Sequence, residues 1–305
     1  MVFPKAKKGL VTKKFNEFFY VDIQCDLKFS DQKNFLCKSR KSIRFNNDFI
    51  CVGDEVIISH IDFDQKTAII DNLIKRKNLI ERPAVANISD IYITYSVEEP
   101  KLNFSQVSKL LINAENLNVK VSLILTKCDL ISDDFRNSLI RKFESWGYYP
   151  KTINCERDYD YETLLNELKT KKCSILMGPS GVGKTTLLNK IIPAVNNRTA
   201  SVSAKIKSGK NTTRNVELFS LTHESYIVDT PGFNLHKIEI EAQYISELFP
   251  EIYNQIKVNS SRCKFNDCLH MDEPGCLISK NFDRYKYYRQ LIIDTKNPNY
   301  QNLGD

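Results

Sequence analysis

One segment restricts the fold of this chain more than any other. Ser174-Ile175-Leu176-Met177 is a short apolar run that reads as a buried strand, and it feeds directly into Gly178-Pro179-Ser180-Gly181-Val182-Gly183-Lys184-Thr185. A helical stretch over Thr186–Ile192 follows. Glycine, four residues, then Gly-Lys-Thr in a strand–loop–helix setting is a phosphate-binding loop. Its glycines let backbone N–H groups turn inward at the positive end of a helix dipole, where phosphate oxygens accept them. Lys184 is expected to reach the β and γ phosphates and act in catalysis, and Thr185 to ligate magnesium. The whole run from Gly178 to Thr186 is the expected phosphate site, with Pro179, Ser180, Gly181, Val182 and Gly183 inside it.

A loop of this kind needs a sheet behind it, and the surrounding pattern supplies one. Ile91–Tyr95, Val121–Leu125, Tyr148–Ile153, Ser174–Met177 and Tyr226–Val228 read as apolar strands. Between them Val107, Leu110, Leu111, Ala114 and Leu117, then Phe135, Leu139, Ile140, Phe143 and Trp146, then Leu164, Leu165 and Leu168 recur at helical spacing. Continuous apolar strands alternating with helices predict a largely parallel sheet covered on both faces. Residues 15–80 differ: short Phe-, Val- and Ile-rich runs separated by polar turns predict a small antiparallel barrel. The chain thus divides into a basic arm plus barrel (1–80), a nucleotide domain (81–234) and a mainly helical C-terminal domain (235–305).

Further motifs give the nucleotide domain its chemistry. Asp229-Thr230-Pro231-Gly232 ends an apolar strand, so Asp229 can hold the magnesium shell while the Gly232 N–H meets the γ-phosphate. Between the two loops, Gly209-Lys210-Asn211-Thr212-Thr213 places hydroxyls where a switch segment closes over magnesium, and Thr212 is the favoured ligand. Thr126-Lys127-Cys128-Asp129 follows a strand and resembles the Asn-Lys-x-Asp guanine motif, with Thr126 replacing Asn. The Asp129 carboxylate can accept both hydrogens of guanine N1 and its amine, a pattern adenine does not offer, while the Lys127 stem covers the base. After the next strand, Asn154-Cys155-Glu156 stands where a second base loop is expected. Both base motifs precede the phosphate loop, an order that implies circular permutation.

Cys263, Cys268, His270 and Cys276 lie together in CKFNDCLHMDEPGC. Three thiolates and an imidazole make a closed tetrahedral set, so one structural zinc per chain is expected. Cys25, Cys37, Cys51, Cys128, Cys155 and Cys173 are isolated and read as reduced core or strand residues. No apolar run approaches the ~20 residues that span a bilayer, and the N-terminus shows no secretory signal pattern. The expectation is a cytoplasmic monomer without a membrane partner. Net charge is +7, which a solvated lysine-rich surface or a polyanionic partner would equally explain. Residues 1–14 hold Lys5, Lys7, Lys8, Lys13 and Lys14 with no acid, which reads as an arm lying on RNA phosphates. Phe18, Phe19, Phe35 and Phe45 are candidate base-stacking platforms.

Val52-Gly53-Asp54, Arg82-Pro83-Ala84-Val85-Ala86-Asn87, the permuted order and the Cys/His knot together resemble the ribosome small subunit-dependent GTPase A family, across nearly the whole chain. The resemblance implies an oligonucleotide-binding-fold barrel, a circularly permuted α/β GTPase domain and a zinc domain. It also implies late maturation of the small ribosomal subunit, contact with its rRNA, and hydrolysis of GTP to GDP and phosphate stimulated by that subunit. Two positions depart from expectation. Phe233 stands where many GTPases carry a water-orienting Gln, and Asn211 where this family carries His. The Asn211 amide can still orient water. A GTP-gated RNA-binding module with vestigial hydrolysis is the alternative class. Asp129 and the motif order argue against a nucleotide kinase.

Overall fold

The computed structural model describes residues 2–3, 6–23, 34–40, 49–81, 83–154, 156–192, 216–229, 238, 240–258 and 263–296. Its chain forms two interleaved compact units, Met1–Tyr92 with Arg157–Asn234 and Ile93–Glu156 with Leu235–Asp305.

In the first unit, alternating residues close a barrel. Strands β1 (Val2–Phe3), β2 (Lys7–Phe15), β3 (Phe18–Ile23), β4 (Asn34–Ser39), β5 (Glu55–Asp62) and β6 (Thr67–Leu73) build it. β2 pairs antiparallel with β3, and β3 with β4. β4 runs parallel to β6, β6 antiparallel to β5, and β5 returns antiparallel to β2, which closes the ring. β1 adds to β5. One face of each of the strands β2 to β6 supplies the core: Val11, Phe19, Val21, Phe35, Cys37, Val56, Ile58, Ile61 and Ile70 among others.

Two expectations change here. Lys7, Lys8, Lys13 and Lys14 belong to barrel strand β2 rather than to a loose arm, because β2 hydrogen-bonds on both sides; Lys5 lies outside the described residues. Phe19 and Phe35 are buried core residues and offer no face to a base. Phe18 keeps its role as a candidate, with the Lys38 ammonium 5.0 Å from its ring centre. Phe15 and Tyr20 join it as exposed rings, while Phe45 lies outside the described residues.

The Val52-Gly53-Asp54 turn joins the barrel to a hairpin of β7 (Leu79–Glu81) and β8 (Ala84–Ala86). Gly53 has φ +87°, and a Cβ there would lie 2.1 Å from the Ala86 carbonyl oxygen, so only glycine fits. The neighbouring Asp54 is fully buried, accepting from the Cys51 N–H at 2.8 Å and from Arg76 at 2.7 and 2.9 Å. β9 (Asp90–Ser96) then carries the chain into the second unit.

The first unit resumes with α3 (Asp158–Leu168), β12 (Cys173–Met177), α4 (Lys184–Ile191), β13 (Glu217–Ser220) and β14 (Tyr226–Asp229). β12 and β14 are parallel, β13 is antiparallel to β14, and Glu217 of β13 pairs with Lys13 of β2.

In the second unit, α1 (Phe104–Glu115) starts where the Asn103 side chain accepts from the Gln106 N–H, and α2 (Asp133–Ser145) where Ser132 accepts from Phe135. Their apolar stripes bury Val107, Leu111 and Ala114, and Leu139 and Phe143. Strand β10 (Lys120–Thr126) runs parallel to β11, which covers only Lys151–Thr152 of the expected 148–153. Tyr148 is instead buried with its hydroxyl donating to Glu115. The C-terminal region is helical: a 3-10 segment at Ala242–Leu248, α5 (Pro250–Val258) and α6 (Tyr285–Lys296). Ile245, Leu248, Phe249, Ile252, Ile278, Tyr288 and Ile292 form its core, with Ile112 of α1 among them. No helix among the described residues is long and apolar enough to cross a membrane.

A charge sits inside this unit. Arg284 is fully buried and grips both carboxylate oxygens of Glu251, its Nε donating at 2.7 Å. Trp146, Tyr148 and Phe249 put their rings within 5.0–5.5 Å of the guanidinium. Such a pair is costly to break from one side, because the survivor stays charged in an apolar cage. Glu251→Ala is expected to destabilise this unit by about 3–5 kcal/mol. Denaturant melting of the variant checks it; a loss below about 1 kcal/mol would mean that water reaches Arg284.

Candidate functional site

The phosphate loop has the local structure its residues predict. Every residue of β12 is buried, so the strand ends rigidly at Met177. Gly181 and Gly183 take φ of +82° and +93°, turning the backbone through angles that side-chain-bearing residues rarely adopt. Val182 is buried and anchors the loop, whereas Ser180, Thr185 and Thr186 are exposed. α4 begins at Lys184, and the Lys184 Nζ folds back over the loop, donating to the carbonyls of Gly178 at 2.8 Å and Pro179 at 2.6 Å. The loop therefore holds an ammonium at its centre beside the N-terminus of a helix, an arrangement matched to a polyphosphate. Asp229 closes β14, parallel to β12. Asn211, Thr212, Gly232 and Phe233 lie outside the described residues.

The candidate base loop belongs to the second unit. Thr126 is buried at the end of β10, and its hydroxyl donates to the Tyr95 carbonyl at 3.3 Å. The Thr126 hydroxyl thus ties the end of β10 to β9. Lys127 adopts φ +58°, and its Nζ donates to the Glu99 carbonyl. Cys128 is buried, and its N–H reaches the Ile153 carbonyl at 3.2 Å, tying this loop to the next. Asp129 is exposed on the short 3-10 turn Cys128–Leu130. In the following loop the Asn154 side chain accepts from the Glu156 N–H at 2.8 Å, an Asx turn that shapes the backbone; Cys155 lies outside the described residues.

The Cys/His knot assembles as its spacing predicts. The ligand atoms of Cys263, Cys268, His270 and Cys276 all lie within 4.8 Å of one another. His270 Nδ1 faces the three sulfurs at 3.6–3.7 Å. Burial lowers the His270 pKa, which favours the neutral imidazole that a metal binds. Burial also pushes the Cys268 thiol up to about 12, so a thiolate there needs a cation beside it. This donor set fits a tetrahedral metal ion. Glu273 supports it, accepting from the N–H groups of Leu269 at 3.1 Å and Met271 at 2.8 Å. Tyr285 and Tyr288 donate to the carbonyls of Met271 and Leu269 from α6. Sequence reasoning missed these three supports, since a Glu and two Tyr carry no spacing signal of their own. Cys37, Cys51, Cys128 and Cys173 are buried and form no disulfide, as expected of core thiols, while Cys25 and Cys155 lie outside the described residues.

Comparison with known proteins agrees with this geometry. The RsgA GTPase family model matches residues 72–239. The "Small ribosomal subunit biogenesis GTPase RsgA" of Prochlorococcus marinus strain NATL2A is 40% identical over 304 residues, 95% of each chain. Its namesake from strain NATL1A is 41% identical over 269 residues, 88% of this chain and 86% of its own. Among solved structures, YjeQ from Thermotoga maritima is similar with TM-score 0.74 and 26% identity, covering 96% of this chain and 99% of its own. YloQ, described as a circularly permuted GTPase, is similar with TM-score 0.76 and 25% identity over 96% of both chains. A phosphate loop that follows its base motifs, a barrel before both and a Cys/His knot after them place this chain in the RsgA GTPase family.

Proposed function

We propose that this chain hydrolyses GTP to GDP and phosphate in the biogenesis of the small ribosomal subunit, binding that subunit and its rRNA. The observation that carries the reading is the Lys184 ammonium held over a glycine loop at the start of α4. Relatives covering nearly the whole chain are named for that process. The residues fall into roles by chemistry. Gly178–Thr186 hold the phosphates, and Thr185, Thr212 and Asp229 hold magnesium. Gly232 meets the γ-phosphate, and Asn211 aligns water. Thr126, Lys127 and Asp129 recognise guanine, with Asn154 and Cys155 beside the base. Residues 1–80 form the RNA-binding barrel, 81–234 the GTPase domain and 235–305 a domain built on one zinc at Cys263, Cys268, His270 and Cys276. The protein works as a cytoplasmic monomer.

Phosphate release, measured with and without purified small subunits, tests the reading. Turnover that the subunits accelerate supports it; tight GTP binding with no turnover in either case would leave a GTP-gated RNA-binding module instead. Base recognition has its own test. Asp129→Asn exchanges two accepting oxygens for an amide that can donate to xanthine. The preference for GTP over xanthosine triphosphate is expected to fall by about a hundredfold, the value of two charge-assisted hydrogen bonds near 1.5 kcal/mol each. Competition between the two nucleotides reads this directly, and an unchanged ratio would remove Asp129 from the base site.

A further inference from the structure

Strand β13 has an unusual position within the first unit. One edge pairs with β14 and the other meets barrel strand β2, so Glu217 stands opposite Asp229 on one side and opposite Lys13 on the other. The Lys13 ammonium lies 2.7 Å from the Glu217 carboxylate, both side chains being largely shielded. At the far end of the strand pair a second contact reaches the barrel. The buried Tyr226 hydroxyl donates to Asp22 of β3 at 2.8 Å. Burial and the Asp22 carboxylate both raise the Tyr226 phenol, which therefore stays a hydrogen-bond donor. Between the two contacts lies a recess of about 540 Å³ lined by Thr12, Asn34, Ile192 and Phe219 among others. Polar side-chain latches thus join the barrel and the strand pair on either side of this recess.

We propose that Glu217 and Tyr226 are positioning residues for subunit-stimulated hydrolysis, two points at which the barrel sets the strand pair that ends at Asp229. This rests on the role given to Asp229 under Proposed function. The physical reason is register. An antiparallel ladder cannot slide by a fraction of a residue without losing its bonds, nor by a whole residue without facing its side chains the wrong way. A displacement of β2 or β3 by a partner on the barrel therefore reaches β13 and β14 through the latches. A partner that prefers one arrangement biases the end of β14 toward it.

Glu217→Met combined with Tyr226→Phe removes both latches while nearly keeping side-chain shape, since neither new side chain offers a strong hydrogen-bonding group. Intrinsic turnover and the half-saturating subunit concentration are expected to stay within about twofold, while turnover at saturating subunits falls about tenfold, as the loss of two largely shielded polar contacts implies. Glu217→Lys alone should lose stimulation in the same way, and the charge-exchanged Lys13→Glu/Glu217→Lys protein should regain most of it. A readout independent of hydrolysis accompanies these. Adding subunits should alter hydrogen exchange at Tyr226–Asp229 in the unmodified protein and leave it unaltered in the double variant. Full stimulation of the double variant, or equal exchange changes in both proteins, overturns the inference alone. An unmodified protein that subunits neither stimulate nor alter overturns the functional reading, and this inference with it.

Discussion

Replacing Lys184 by alanine is expected to lower GTP turnover by on the order of a thousandfold, as loss of a preorganised charge at a transferring phosphoryl group does. The reason is visible in the loop. Lys184 is held by two carbonyls of its own loop, from Gly178 and Pro179, so its ammonium is already positioned before any phosphate arrives. Alanine keeps the start of α4, because it is a better helix former than lysine and leaves the buried Leu187, Leu188 and Ile191 in place. The fold should therefore survive while the charge is lost. Single-turnover phosphate release separates chemistry from binding, and circular dichroism confirms the fold. Normal turnover in the folded variant would put the phosphate site elsewhere in the chain.

The largest structural effect is expected from the Cys/His knot. Structural zinc supplies about 10 kcal/mol or more to small domains at neutral pH. Cys268→Ala should abolish stoichiometric metal, read as one zinc per chain in the unmodified protein by elemental analysis. It should also release residues 263–280 from their fixed structure. The damage should centre there. The core loses Ile278 and the packing of Leu269, Met271 and Cys276, but Ile245, Phe249, Ile252 and Ile292 come from outside 263–280, and Arg284 stays locked to Glu251. Hydrogen exchange is expected to rise within 263–280 and to hold steady in α5. Intrinsic GTP turnover should persist within about twofold, since the metal takes no part in the chemistry. Unfolding of the entire C-terminal region, or an unmodified protein free of metal, would contradict this.

Much of this architecture was legible because some chemistry is local. The phosphate loop needs glycines, a lysine and a hydroxyl in one unbroken run, and the metal knot needs four ligands close together; both can be read by spacing. Helical stripes were legible for the same reason, since a 3.6-residue period is a property of one segment. Pairing between distant segments was not. Lys13 read as part of a basic arm because its partner, Glu217, lies 204 residues further on. β13 itself escaped notice, as four residues with only Leu218 deeply buried carry almost no periodicity. Arg284 and Glu251 carry no signal in the sequence, because burial of an ion pair depends on tertiary surroundings alone. The aromatic candidates split by strand face: Phe18 faces outward and Phe19 inward, an alternation that only the barrel register fixes.

The interleaving of the two units has a consequence for how this chain is made. Neither unit is a continuous stretch, and Ile93–Glu156 belongs with Leu235–Asp305. During synthesis at about 5–20 residues per second, the earlier segment leaves the ribosome on the order of ten seconds before its counterpart exists. In that interval Trp146 and Tyr148 have no Arg284 to surround, and Ile112 has no C-terminal core to join. A nascent chain at this stage presents an apolar surface that only its own final seventy or so residues can cover. The segment proposed to read guanine is therefore translated before the phosphate loop and yet acquires its fixed surroundings after it.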